Sequence, residues 1–121
     1  EHPRGATSWK LLVVQKFMRE TAALFADSNM CAFDMQAEDK QGVGYVFKPT
    51  RFMTTSRCLA KELSEYRCNG KHRHVHLLDG RAAKAAVYLD LLCKAICVGI
   101  RKQCHKEGAS KGEFCNHCFP S

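Results

Sequence analysis

No stretch of this chain is apolar for the roughly 18 residues of a membrane-spanning helix, and no basic stretch leads into an apolar one, so neither a membrane span nor a secretory leader is visible. Lysine and arginine never gather into a run of five or six, which excludes a basic nucleic-acid-binding arm of the blocky kind. Also missing are a phosphate-binding loop, a dinucleotide fingerprint, a serine nucleophile elbow and a His-Glu-x-x-His pair. Without them there is no motif for nucleotide hydrolysis, nicotinamide chemistry, serine hydrolysis or metalloproteolysis. No internal repeat and no low-complexity tract interrupts the 121 residues. That length suits one domain with a core of its own.

What is present is basic charge, cysteine and histidine. The formal charge of +7 makes an anionic partner plausible, nucleic acid first, against the plainer reading of a solvated basic surface. Eight cysteines are an even number, so a disulfide framework has to be weighed. Two features favour reduced, metal-binding thiols over it. Cys93 and Cys97 fall one turn apart on a predicted helix, poorly placed to bridge each other. Most histidines lie close to cysteines, which suits metal ligation. The expected setting is intracellular, cytoplasmic or nuclear. The chain opens on Glu1 rather than Met, as expected of a trimmed, processed or partial chain.

The pattern predicts an α/β fold, a small sheet of about three strands packed with three helices. Residues 1–103 would form a partial α/β domain with a Cys/His site, and 104–121 a polar, cysteine-containing tail. Thr7 or Ser8 can cap a first helix over about Trp9–Arg19, with Trp9, Leu12, Val13 and Phe17 on one inward face. Ala22–Ala26 reads as a short buried strand stopped by the polar Asp27-Ser28-Asn29. Glycines 42 and 44 mark a turn, followed by strands over Val43–Lys48 and Arg51–Thr55 split by Pro49. Thr55 or Ser56 opens a second helix to about Tyr66, with Leu59 and Leu63 inward. A third spans about Arg81–Gln103, with Tyr88, Leu91, Leu92, Ala95, Ile96, Gly99 and Ile100 as its core stripe.

The most site-like segment is Cys68-Asn-Gly-Lys-His72-Arg-His74-Val-His76. Zinc takes thiolate and imidazole in a tetrahedron, usually from a tight turn plus one or two distant positions. Gly70 lets the backbone curl so that Cys68 and His72 converge. In an extended segment His72 and His74 share a face, with His76 as a spare. The distant fourth ligand is expected from Cys31, just after a predicted strand, with Cys58 as runner-up. The competing reading is a phosphate-facing basic loop, since Arg67, Lys71 and Arg73 interleave the histidines; Lys48 and Arg51 complete the candidate nucleic-acid contacts.

Other clusters are weaker. Cys115-Asn-His117-Cys118, with Cys104 and His105, has the parts of a second Cys/His site, or is an incidental group in a polar tail. Cys93, Cys97 and Cys104 read as buried thiols packing like small hydrophobes. Asp34, Glu38 and Asp39 read as a solvated loop surface, and no cysteine has a visible base to activate it.

His2-Pro3…Ser8-Trp9, Cys31-Ala-Phe33, Lys48-Pro-Thr-Arg-Phe-Met-Thr-Thr55, Cys68-x-Gly-x-His72-x-His74-Val, Gly80-Arg-Ala-Ala and Tyr88…Leu92-Cys-x-Ala-Ile follow one another in order. Over about residues 1–103 this succession resembles a domain of copia-like retrotransposon Pol-type polyproteins of protists and fungi. The family pattern has Asp-Gln-Cys where this chain has Asn29-Met30-Cys31, and Thr-Asn-Ser where it has Thr54-Thr55-Ser56. Cys31, Cys68, His72 and His74 are retained. The resemblance implies a larger α/β domain upstream of Glu1, with this chain as its C-terminal part. The leading expectation is a non-catalytic, zinc-stabilised module of a mobile-element polyprotein that touches nucleic acid. The alternatives are a fragment of a methyltransferase- or nuclease-like enzyme using Glu1, His2 and Lys48 at a shared edge, and a secreted disulfide-rich protein.

Overall fold

The computed structural model describes residues 1–77 and 88–108. In chain order these form β1 (His2–Pro3), α1 (Leu12–Thr21), β2 (Leu24–Asn29), β3 (Gln36–Asp39), β4 (Gly42–Phe47), β5 (Pro49–Thr54), α2 (Arg57–Ser64), β6 (His74–His76) and α3 (Asp90–Lys106). The class is mixed α/β, with three helices and two three-stranded sheets among the described residues. One sheet runs β1-β5-β2, antiparallel throughout. The other runs β3-β4-β6, with β3 antiparallel and β6 parallel to β4.

Strand β2 extends past the polar stop expected at Asp27 because each polar side chain there has a partner. Asp27 receives two hydrogen bonds from Arg51 on β5, at 2.8 and 3.1 Å. The buried Ser28 hydroxyl donates to the Leu63 carbonyl at 2.6 Å. Asn29 receives the Cys68 N–H at 2.9 Å. The strand starts later than expected, since Ala22 ends α1 in the left-handed conformation. Strands β4 and β5 fall close to their expected ranges. Proline 49 is tolerated as the first residue of β5, where its missing N–H matters least.

The core lies where α2 packs on the first sheet and α3 packs on α2 and on the short 3₁₀ turn Met30–Phe33. Met30, Phe33, Leu63, Leu92 and Ala95 are buried together, and the Phe33 and Tyr66 rings stack at 4.3 Å. Ser56 caps α2 by accepting the Leu59 N–H, as its position before the helix predicts. Gln103 ties the far end of α3 to that cap, accepting from the Ser56 hydroxyl and the Cys58 N–H at 3.0 Å each. The helices touch at Gly99, where a Cβ would stand 2.7 Å from the Leu59 Cα. Of the expected α3 stripe, Leu92, Ala95 and Gly99 are buried, whereas Tyr88 and Leu91 are exposed. The helix continues through Cys104 and His105 to Lys106; residues 81–87 of the expected helix, and 109–121 with Cys115, His117 and Cys118, lie outside the described residues.

The first helix departs most from expectation. Trp9 is buried as the anchor it resembles, its indole N–H on the Pro3 carbonyl at 2.9 Å and its ring edge-on to Phe25. It belongs to a 3₁₀ turn, Thr7–Lys10, and Leu11 is extended (φ −62°, ψ 138°) before α1 begins. That break shifts the helical phase, so Leu12, Val13 and Phe17 do not follow Trp9 inward. They are 85%, 71% and 47% exposed, and no residue of α1 is buried. The expected single inward face is thereby corrected.

Candidate metal centre

Three separate stretches meet at one corner of the second sheet. Cys31 comes from the 3₁₀ turn that links the two sheets, where it is buried. Cys68 follows α2, held by its N–H on the Asn29 side chain. His74 opens β6, opposite Tyr45 of β4, and His72 stands two residues before it. Between them, Gly70 takes a positive φ of 72° and points its N–H at the Cys68 sulfur, 3.3 Å away. A side chain there would strain the turn. The Lys71 N–H is taken by the Asn69 side chain at 2.9 Å, closing an Asx turn.

The donor atoms of Cys31, Cys68, His72 and His74 all lie within 4.8 Å of one another. The two histidine Nε2 atoms are 3.0 Å apart, and the Cys68 sulfur is 3.6 Å from His72 and 3.3 Å from His74. A tetrahedral zinc ion with sulfur at about 2.3 Å and nitrogen at about 2.0 Å would separate nitrogens by about 3.3 Å and nitrogen from sulfur by about 3.5 Å. Each observed distance agrees within a few tenths of an ångström. These four residues could therefore hold a metal ion, and they are the four the sequence singled out.

Local electrostatics define what an ion at this corner would have to offset. Burial, reinforced by the adjacent Cys68 thiol, pushes the Cys31 thiol up to about 11. Burial and the neighbouring His72 and His76 lower the pKa of His74, favouring the neutral, ligating imidazole. Two thiolates side by side are costly without a cation, and a divalent ion removes that cost. The rings of Tyr45 and Phe47 pack on His72 and His74 at 4.7 and 5.6 Å and help fix their orientation.

The remaining candidates fall elsewhere. His76 is exposed and packs on Phe47, outside the four-residue group. Cys58 is half-buried beside Lys61, Glu62, Glu65 and Lys102. Cys93 is exposed and Cys97 and Cys104 are half-buried, which corrects the expectation of three buried thiols: the buried line of α3 runs through Leu92, Ala95 and Gly99, and the cysteines fall on its flanks. Of the basic candidates, Arg51 is bound to Asp27 and lies over the Phe25 ring at 4.5 Å. Arg73 is bound to Asp39 at 2.6 Å and to the Gly42 carbonyl. Lys48 is half-buried, and its carbonyl accepts the Met30 N–H. Arg67 and Lys71 are exposed, with no ion pair among the described residues. Glu1 and His2 line a separate cavity of about 200 Å³ with Ser8 and Trp9; Lys48 does not border it.

Sequence reasoning missed the supporting residues. Asn29 positions Cys68 by accepting its N–H on the side-chain oxygen at 2.9 Å. Tyr45 and Phe47 looked like ordinary strand residues, and only the unexpected β4–β6 pairing brings them to the histidines.

No family model, curated protein or solved structure matches the chain.

Proposed function

We propose that the chain is a non-catalytic module whose fold is held by zinc at Cys31, Cys68, His72 and His74, and which contacts nucleic acid through its basic surface. The observation that carries the first half is the convergence of four donors from three stretches of chain within 4.8 Å. A mixed thiolate and imidazole set suits zinc better than the hard cations. Four protein donors leave no open position for water, so the role is structural. The ion would tie the turn between the two sheets to the end of α2 and to β6, adding its binding free energy to folding. The nucleic-acid half is supported by the charge of +7 and by Arg67 and Lys71, which flank the metal corner without a carboxylate partner among the described residues. A copia-like polyprotein is the setting that the motif resemblance supports.

The test is metal analysis of protein purified under reducing conditions, together with a thermal melt with and without a chelator. A melt that the chelator leaves unchanged would sink the structural role. Binding to a short oligonucleotide should weaken linearly in log affinity against log salt, as counterion release requires. Salt-independent binding would contradict a phosphate contact.

A further inference from the structure

Beside the metal corner lies an open cavity of about 420 Å³. Three of the four candidate ligands, Cys31, Cys68 and His72, line it together with Asp34, Tyr45, Arg67, Asn69 and Leu91. Its volume falls within the roughly 300–1,000 Å³ of small-ligand pockets. The lining combines a guanidinium that makes no ion pair among the described residues, an aromatic ring, an aliphatic side chain, a carboxylate and an amide. The Tyr45 ring is already braced against His72. One Asp34 oxygen is occupied by the Gln36 side chain at 2.8 Å, and the Asn69 oxygen by the Lys71 N–H. That leaves a carboxylate acceptor and an amide donor at the rim.

The set selects among anions. A bare phosphate drawn in by Arg67 would meet the Asp34 carboxylate and gain nothing from Tyr45 or Leu91. A nucleotide uses all of them: its phosphate for Arg67, its base face for Tyr45 and Leu91, and its base edge for Asp34 and Asn69. Zinc on two thiolates and two neutral imidazoles is a centre of no net charge, so a loaded site would not repel a phosphate in the cavity. We propose that this cavity receives one unpaired nucleotide of a single-stranded nucleic acid, an inference that rests on the reading of the chain as a zinc module contacting nucleic acid. A base stacked in a duplex cannot enter without leaving its neighbours, so single strands are preferred.

The test measures binding of the full chain to a labelled single-stranded oligonucleotide and to its duplex by fluorescence anisotropy, with zinc content and melting temperature recorded for every variant. The single strand should bind about tenfold more tightly than the duplex, and Arg67→Ala should remove about tenfold of that affinity. Leu91→Trp, which puts a larger side chain at an exposed lining position of α3, should abolish the preference. Lys16→Ala, the same charge loss on α1, should change little. Equal binding of duplex and single strand, or equal losses from Arg67→Ala and Lys16→Ala, overturns the cavity assignment and leaves the zinc module standing. Displacement of the strand by micromolar free nucleoside monophosphate overturns the strand in favour of a soluble nucleotide. A zinc-loaded chain that binds no nucleic acid overturns both the cavity assignment and the nucleic-acid half of the proposed function. A chain that holds no zinc overturns the metal half.

Discussion

The turn from Cys68 to His74 and the helix from Leu12 to Thr21 are both short and both border solvent, and they are secured in opposite ways. The turn is polar, yet it is tied down at nearly every residue: to Asn29, to its own Asx turn, to β4 through β6, and to the rings of Tyr45 and Phe47. The helix is amphipathic, yet it buries none of its residues and is tied mainly at its start, where Gln15 donates to the Trp9 carbonyl at 2.6 Å. Directional bonds and ligand convergence can order a segment that hydrophobicity would assign to a loop. An apolar stripe, conversely, shows that a helix has a face to cover and leaves open what covers it.

The comparison breaks most visibly at the proposed metal site. Cys68→Ser should lose the ion and destabilise the domain by about 4–5 kcal/mol, the range reached when a structural metal is lost. Chemical denaturation under reducing conditions would measure it, and a wild-type midpoint would mean that the turn stands without a metal. Next in size, Leu63→Ala should cost about 2–5 kcal/mol as a core truncation. Asp27→Asn should cost about 1–2 kcal/mol by weakening a charge-assisted pair with Arg51. The Arg51 guanidinium holds the Asp27 carboxyl below its usual value. Its contribution is therefore full above an unfolded value of about 3.9 and is lost as the pH falls through the lower folded value. Acid titration of the melt should show that loss in the wild type and less of it in the variant. Smallest of all, Leu12→Ser on α1 should change stability by less than about 0.5 kcal/mol. A cost comparable to Leu63→Ala would show that α1 is covered in solution and would dissolve the contrast.

Much of the site was legible because ligand chemistry is local and typed. Gly70, Cys68 and the alternating His72 and His74 specify a turn and a face within seven residues, and Cys31 was reachable because it follows a strand. Strand β3 was not legible, since four residues carry too little alternation; the extended run through His74 and His76 was legible, but its pairing with β4 was not. Helix α1 misled because a period of 3.6 does not register the extended Leu11 that resets its phase after Trp9. Asp27, Ser28 and Asn29 read as a stop because their partners, Arg51, Leu63 and Cys68, lie 24 or more residues away.

The most direct test of the account is the zinc-to-protein ratio by elemental mass spectrometry, on wild type and His74→Ala purified side by side under reducing conditions. One zinc per wild-type chain and a substoichiometric amount in the variant are the expected result. A wild-type chain without zinc, or a variant that retains a full equivalent, would contradict it.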